Sequence, residues 1–113
     1  MGGNLIDFES FEQAEIRVGR VVVIEDFPDA RKPAYKMVVD FGSFGRKKSS
    51  AQITDFYSKE ELLGRQVLAV YNLKPKQVGK FISEVLVLGV VLEDNKIVLV
   101  GPDRETPLGL RVE

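Results

Sequence analysis

The chain has 113 residues, of which 44% are hydrophobic and 29% charged, a balance typical of one folded domain. It contains no cysteine and no histidine, which excludes disulfides, thiolate and imidazole metal ligands, and Ser-His or Cys-His catalytic pairs. The net charge of −1 conceals a basic middle: residues 31–80 carry eleven bases and four acids, whereas residues 1–30 carry two bases and seven acids. Such asymmetry is typical of a polyanion-binding face, although charges that merely alternate along exposed surfaces explain it equally well.

The N-terminal third predicts a short helix followed by a strand. Residues 1–7 lack a basic region and an apolar run, so we expect no signal peptide. Ser10 followed by Gln13 has the spacing of a capping box, which predicts a short helix or turn. Ile16–Ile24 is rich in β-branched residues and predicts the first strand, in which Gly19 marks a bulge or a sharp bend.

Two strands, a helix and a further strand are predicted next. Tyr35–Phe41 and Arg46–Ile53 predict the second and third strands, joined by a glycine-containing turn. Ser58 and Glu61 form a second capping-box pattern and predict a helix of one or two turns. Arg65–Leu73 predicts the fourth strand.

The C-terminal third predicts a hairpin and completes the fold prediction. Ser83–Leu92 and Lys96–Val100 flank a short polar turn, which is typical of a β-hairpin. No connection is long enough for a parallel crossover, so we expect a mostly antiparallel sheet. A helix between strands three and four of a five-stranded Greek-key barrel is typical of the OB-fold. We therefore predict an all-β protein with short helices, a single OB-fold domain over residues 1–113.

One apolar stretch requires a covering layer. Val85–Leu92 is apolar on both faces, whereas a small barrel buries only the inner face of each strand. The outer layer is either the N-terminal segment, residues 1–15, or a second copy of the chain. We favour a homodimer, with residues 1–15 packing at its interface.

The candidate binding residues are basic, and none has a catalytic arrangement. Residues 74–80 hold three lysines and no acid, and they follow the fourth strand, where an OB-fold has a loop beside its binding face. The alternative is a solubilising surface. Lys48 and Ser49 lie on opposite faces of a strand, so we expect no Ser-Lys pair and no enzyme. The lysines expected to neutralise RNA phosphates are Lys36, Lys47, Lys48, Lys74, Lys76 and Lys80.

Several motifs in order along the chain are similar to those of bacterial CsaA proteins. They include Ile16-Arg17-Val18-Gly19, Lys48–Thr54, Asn72-Leu73-Lys74-Pro75 and Ser83–Gly89, and together they extend over nearly the whole chain. CsaA belongs to a wider family of tRNA-binding OB domains. The resemblance implies a cytoplasmic homodimer without a metal or organic cofactor and without direct membrane insertion. It implies a chaperone that holds unfolded preproteins for export, with a Sec component as a further partner.

The same resemblance implies tRNA as the alternative partner. In the wider family, the tRNA-binding elements match Asn72, Lys74 and Ser83 here. Many tRNA-binding relatives have a methionine where this chain has Leu86, and CsaA lacks it as well. We therefore expect an export-related chaperone, with shape-selective tRNA binding as the alternative. From their proximity to the lysine stretch, the expected peptide contacts are Tyr71, Phe81 and Val85.

Overall fold

The computed structural model describes residues 3–113, which form short strands, two α-helices and a 3₁₀ turn. In chain order the elements are α1 (Phe8–Glu12), β1 (Ile16–Asp26), β2 (Tyr35–Asp40), the 3₁₀ turn (Gly42–Phe44), β3 (Arg46–Ala51), α2 (Lys59–Leu62), β4 (Gln66–Val70), β5 (Lys76–Val78), β6 (Phe81–Ser83), β7 (Leu86–Val87), β8 (Gly89–Val91) and β9 (Ile97–Leu99).

Five strands make one antiparallel sheet in the order β3-β2-β1-β4-β7, and it curls into a nearly closed barrel. The Glu84 amide donates to the Lys48 carbonyl over 2.8 Å, and the Ser49 hydroxyl donates to the Val85 carbonyl over 3.1 Å. These bonds bring β3 against the segment that leads into β7. Because α2 lies between β3 and β4 in sequence, the predicted OB-fold arrangement is confirmed.

Alternating residues of the central strands fill the barrel. β2 is buried at every second position, as a strand with one face on the core requires. Gly19 belongs to this packing, because a Cβ atom there would lie 2.3 Å from Val39 Cγ1 and 2.9 Å from Phe41 Cε1. The buried core cluster consists of Val21, Tyr35, Met37, Val39, Phe41, Ile53, Leu62, Val67, Ala69, Val85, Val87 and Leu99.

Two local predictions are wrong in detail, and a third is confirmed. The bulge of β1 lies at Val22, where the register shifts, whereas Gly19 pairs regularly with Val67. The N-cap of α1 is Asp7, whose carboxylate accepts from the Ser10 amide over 2.8 Å, so Ser10 is not the cap. The capping box predicted for α2 is present as expected.

The lysine stretch and the first strand of the last predicted hairpin also differ from expectation. Residues 76–83 form their own hairpin, β5–β6, in place of a loop, and Gly79 at φ +61° occupies its turn. The predicted strand Ser83–Leu92 is divided among β6, β7 and β8. β8 pairs with β9 across the polar turn, so the predicted hairpin is present with shorter strands.

The outer face of this segment is not covered within one copy. Val85 and Val87 are buried, whereas Leu86 is 49% exposed and Val91 is 64% exposed. The N-terminal segment does not form the missing layer, because its own apolar side chains, Leu5, Ile6 and Phe8, are exposed as well.

Candidate functional site

Two lysines lie over contacting aromatic rings on the outer face of β2 and β3. Lys36 Nζ lies 5.5 Å from the centroid of the Phe27 ring, and Lys48 Nζ lies 5.5 Å from that of Phe81. The two rings pack edge to face with centroids 5.5 Å apart. Register places both lysines on one face, since Val38 pairs with Lys48 and follows Lys36 by two residues. We call Lys36, Lys48, Phe27 and Phe81 the lysine face.

The β5–β6 hairpin borders the lysine face. Lys76 pairs with Ser83 across the hairpin, and Lys80 lies exposed in its turn. The Ser83 hydroxyl accepts from the Ser50 amide over 3.2 Å, which ties the hairpin to β3. The same hydroxyl donates to the Val85 carbonyl over 3.4 Å, so Ser83 contributes to barrel closure as well as to the surface.

A groove with an apolar lining runs between this hairpin, the loop after β1 and the β7–β8 segment. It encloses about 980 Å³. Three bases and one acid also line it: Arg31, Lys32, Lys76 and Asp29. A groove of this kind can take an extended apolar chain and favours acidic groups at its margin. Its apolar lining consists of Phe27, Ala30, Ala34, Ala51, Ile53, Val78, Val85, Leu86, Val87, Leu88, Val91 and Ile97.

A third set of cations and aromatic rings surrounds the β2–β3 turn. The Arg17 guanidinium carbon lies 3.9 Å from the centroid of Phe44, and Lys47 Nζ lies 5.5 Å from that of Tyr71. The Tyr71 hydroxyl donates to the Phe44 carbonyl over 2.7 Å. We call Arg17, Phe44, Lys47 and Tyr71 the turn cluster.

Asn72 has structural partners beside the turn cluster. Its side-chain oxygen accepts from the Glu15 amide over 2.9 Å, and its side-chain nitrogen donates to the Gln13 carbonyl over 2.8 Å. Both ends of the amide group are therefore bound to the segment that enters β1. Lys74 follows two residues later and is exposed.

The groups whose pKa values are shifted lie near the N-termini of the two helices. The Ser58 amide and hydroxyl bond to Glu61 and lower the pKa of its carboxyl group. The Ser10 amide lowers the pKa of Asp7 in the same way, and the hydrogen bond to Asp26 raises the pKa of Lys59. Residues 3–113 hold no cluster of three or more acidic side chains suited to a metal ion.

The structure separates the predicted binding residues into three places. Lys36, Lys48 and Phe81 share the lysine face, whereas Lys47 and Tyr71 belong to the turn cluster, with Asn72 and Lys74 following in sequence. Lys76, Ser83 and Val85 line the groove, with Lys80 in the adjoining turn. Val85 is only 4% exposed and belongs to the core cluster, so it can offer little surface to a ligand, and its role as a peptide contact stays a prediction.

Sequence reasoning missed several functional candidates. Phe27 lines the groove and contacts both Lys36 and Phe81. The one sequence signal for it was Pro28, because a proline restricts the backbone of the residue before it. Arg17 could have been identified more easily, because a charged residue within a strand of β-branched residues needs a specific partner for its charge. Arg31 and Lys32, by contrast, belong to the basic middle that the sequence indicated, and they line the groove from the loop before β2.

Fold and side chains together define a nearly closed OB-fold barrel with a basic face and an apolar groove. The family model described as "Putative tRNA binding domain" matches residues 16–111. The chain therefore belongs to this tRNA-binding domain family, as the motifs predicted. Along residues 3–113 we find no helix with the length and apolar character that crossing a membrane requires.

Solved structures place CsaA chaperones among the relatives of this chain. The chaperone CsaA of Bacillus anthracis has a TM-score of 0.93 and 45% identity, covering 97% of this chain and all of that one. CsaA of Picrophilus torridus has a TM-score of 0.89 and 44% identity, covering 96% of this chain and all of that one. The resemblance to CsaA is thus confirmed.

Curated relatives are much longer proteins. The methionine–tRNA ligase of Thermococcus onnurineus is 36% identical over 107 residues, which are 95% of this chain but 14% of the ligase. The chain therefore spans about one seventh of the length of this relative. The similarity concerns the tRNA-binding domain portion of the ligase.

Proposed function

We propose that this protein is an export-related chaperone that binds unfolded preprotein segments in the groove. The observation that carries the proposal is an apolar groove of about 980 Å³ with three bases along it. Exposed apolar positions such as Val91 and Leu86 offer contact area without strong side-chain selectivity. The likeness to two CsaA chaperones over nearly their whole length supports the same function.

We also propose that the protein works as a homodimer. The side of the β8–β9 hairpin away from the groove is uncovered in one copy, where Val90, Leu92 and Val98 are each more than one third exposed. A second copy related by a twofold axis would bury this face, and residues 1–15 lie at that interface in our proposal. A mass measurement in solution at several protein concentrations tests this assembly.

The groove is tested with neighbouring residues of β8. Val91 lines the groove and Val90 does not, although both are exposed valines. We expect Val91→Ser to weaken binding of an unfolded preprotein segment about tenfold, since burying a valine contributes about 1.4 kcal/mol or more. Val90→Ser is the matched control, and both variants are compared at equal dimer content. Equal losses in the two variants would contradict the groove as the peptide site.

The second candidate function is shape-selective tRNA binding at the lysine face. Its supporting observation is that Lys36 and Lys48 lie on one side of the sheet over contacting rings. Cations arranged along a strand pair can follow a phosphate backbone. Binding of total tRNA should then fall steeply with salt, whereas binding of an apolar segment should hold or strengthen. Salt-independent tRNA binding would contradict this function.

The remaining proposals concern where the chaperone acts and what it acts with. We propose that it acts in the cytoplasm, takes no cofactor and has no catalytic activity of its own. A component of the Sec export machinery is the proposed recipient of the bound preprotein. Co-purification of the wild-type protein and of Val91→Ser with such a component tests whether that contact depends on a filled groove.

A further inference from the structure

Phe44 is an exposed aromatic ring that the fold holds in one place. The residue is 43% exposed, yet Arg17 packs on one ring face at 3.9 Å from the centroid. Tyr71 packs edge to face with it, at a centroid distance of 5.9 Å. Gly109 closes one edge, because a Cβ atom there would lie 3.0 Å from Phe44 Cδ2. Arg17, Tyr71 and Gly109 thus hold the ring in place while a large part of it remains accessible.

The surroundings of this ring are cationic. Arg46 and Lys47 follow Phe44 after a single glycine, and Lys47 Nζ lies 5.5 Å from the Tyr71 centroid. The Arg46 side chain is 63% exposed, and its contact with Asp40 is long at 4.0 Å. Arg17 is paired with Glu15 at 3.0 Å, so the available positive charge comes from Arg46 and Lys47.

We propose that Phe44 is a stacking platform for an unpaired base of bound RNA, with Arg46 and Lys47 beside the flanking phosphates. A ring fixed on its back face loses little freedom when a base stacks on its open face. Cations at this spacing favour a nucleotide over an apolar peptide, which would bring no charge to neutralise them. The platform is a site separate from the lysine face. Lys47 pairs with the buried Val39, so its side chain lies on the other side of β3 from that of Lys48.

The proposal rests on the proposed RNA binding, and its test uses the absence of tryptophan from this chain. Phe44→Trp introduces a single tryptophan, which can be excited selectively over the three tyrosines, and titration with a short oligoadenylate at low salt should quench its emission. Phe56→Trp is the matched control, because Phe56 is 47% exposed and also has a lysine nearby, with Lys96 Nζ 5.7 Å from its ring. We expect no quenching in the control.

Affinity provides the second measurement. Phe44→Leu should weaken oligoadenylate binding about tenfold, whereas Phe56→Leu should leave it unchanged. An abasic oligomer of equal length should bind wild-type protein and Phe44→Leu equally. If wild-type protein binds the oligomer while Phe44→Trp is not quenched and Phe44→Leu binds as tightly, the platform alone is refuted. If wild-type protein binds neither oligoadenylate nor total tRNA, RNA binding and the platform are both refuted.

Discussion

The lysine face leads to a quantitative prediction for RNA binding. If Lys36 and Lys48 each neutralise one phosphate, Lys36→Gln/Lys48→Gln removes two phosphate contacts. For single-stranded RNA each contact contributes about 0.7 to the slope of log affinity against log salt, so the slope should become shallower by about 1.4. Over a fourfold rise in salt, wild-type protein should therefore lose about sevenfold more affinity than the variant.

The fold should survive this double substitution. Glutamine keeps most of the aliphatic part of each side chain, and the contact between Phe27 and Phe81, at 5.5 Å between centroids, does not need the ammonium groups. Fluorescence anisotropy of a labelled single-stranded RNA, followed through a salt series, measures the slope directly. Circular dichroism of both proteins at each salt concentration checks that the barrel is intact.

A matched control removes the same charge elsewhere. Lys59 is paired with Asp26 at 3.0 Å, and Lys96 with Asp94 at 3.7 Å, so neither belongs to the lysine face. Lys59→Gln/Lys96→Gln should leave the slope within about 0.3 of the wild-type value. An equal change of slope in both double variants would show that net charge, and not the lysine face, controls binding.

Two predictions concern the stability of the barrel. Gly19→Ala should lower the free energy of unfolding, measured by urea denaturation, by about 3 kcal/mol. The reason is that the new methyl group would clash with the fully buried Val39 and Phe41. A loss below about 0.5 kcal/mol would contradict that packing. The pKa of Glu61 is lowered in the folded state because the Ser58 amide donates a hydrogen bond to its carboxylate. The ionised carboxylate therefore stabilises the fold above pH 4.5, and this stabilisation is lost as the pH falls further. Glu61→Gln should therefore lose less stability than wild-type protein between about pH 5 and 3, and parallel curves would contradict this.

Local patterns predicted the strands that bury one face. The alternation of Tyr35–Phe41 matches the observed burial of β2, and the Ser58–Glu61 spacing gave the cap of α2. The β5–β6 hairpin escaped prediction because it is short, rich in lysine and stabilised by a distant partner, the bond from the Ser50 amide to Ser83. The role of Gly19 escaped prediction for a similar reason, since it depends on which residues of β2 lie opposite.

The lysines could be predicted as a basic region but not as separate sites. Lys47 and Lys48 are adjacent in sequence, and alternation along β3 sends them to the turn cluster and to the lysine face. The aromatic residue that each contacts, Tyr71 or Phe81, comes from a distant strand or strand end. Those contacts depend on how the barrel closes, which no local pattern in the sequence determines.

The groove and the lysine face are continuous, so their ligands should affect each other. Phe27 lines the groove and also contacts Lys36 and Phe81, and Lys76 lines the groove from the hairpin that borders the lysine face. A segment that fills the groove would restrict approach of a phosphate backbone to this side of the barrel.

We therefore expect a saturating preprotein segment to weaken RNA binding, and RNA to weaken segment binding by the same factor, since coupling between two binding equilibria is reciprocal. Anisotropy of labelled RNA with and without the segment measures the factor. Val91→Ser should reduce it at a fixed segment concentration, because less of the groove is then filled. An unchanged RNA affinity at full occupancy of the groove would mean that the two surfaces work independently, and peptide and RNA could then occupy one barrel together.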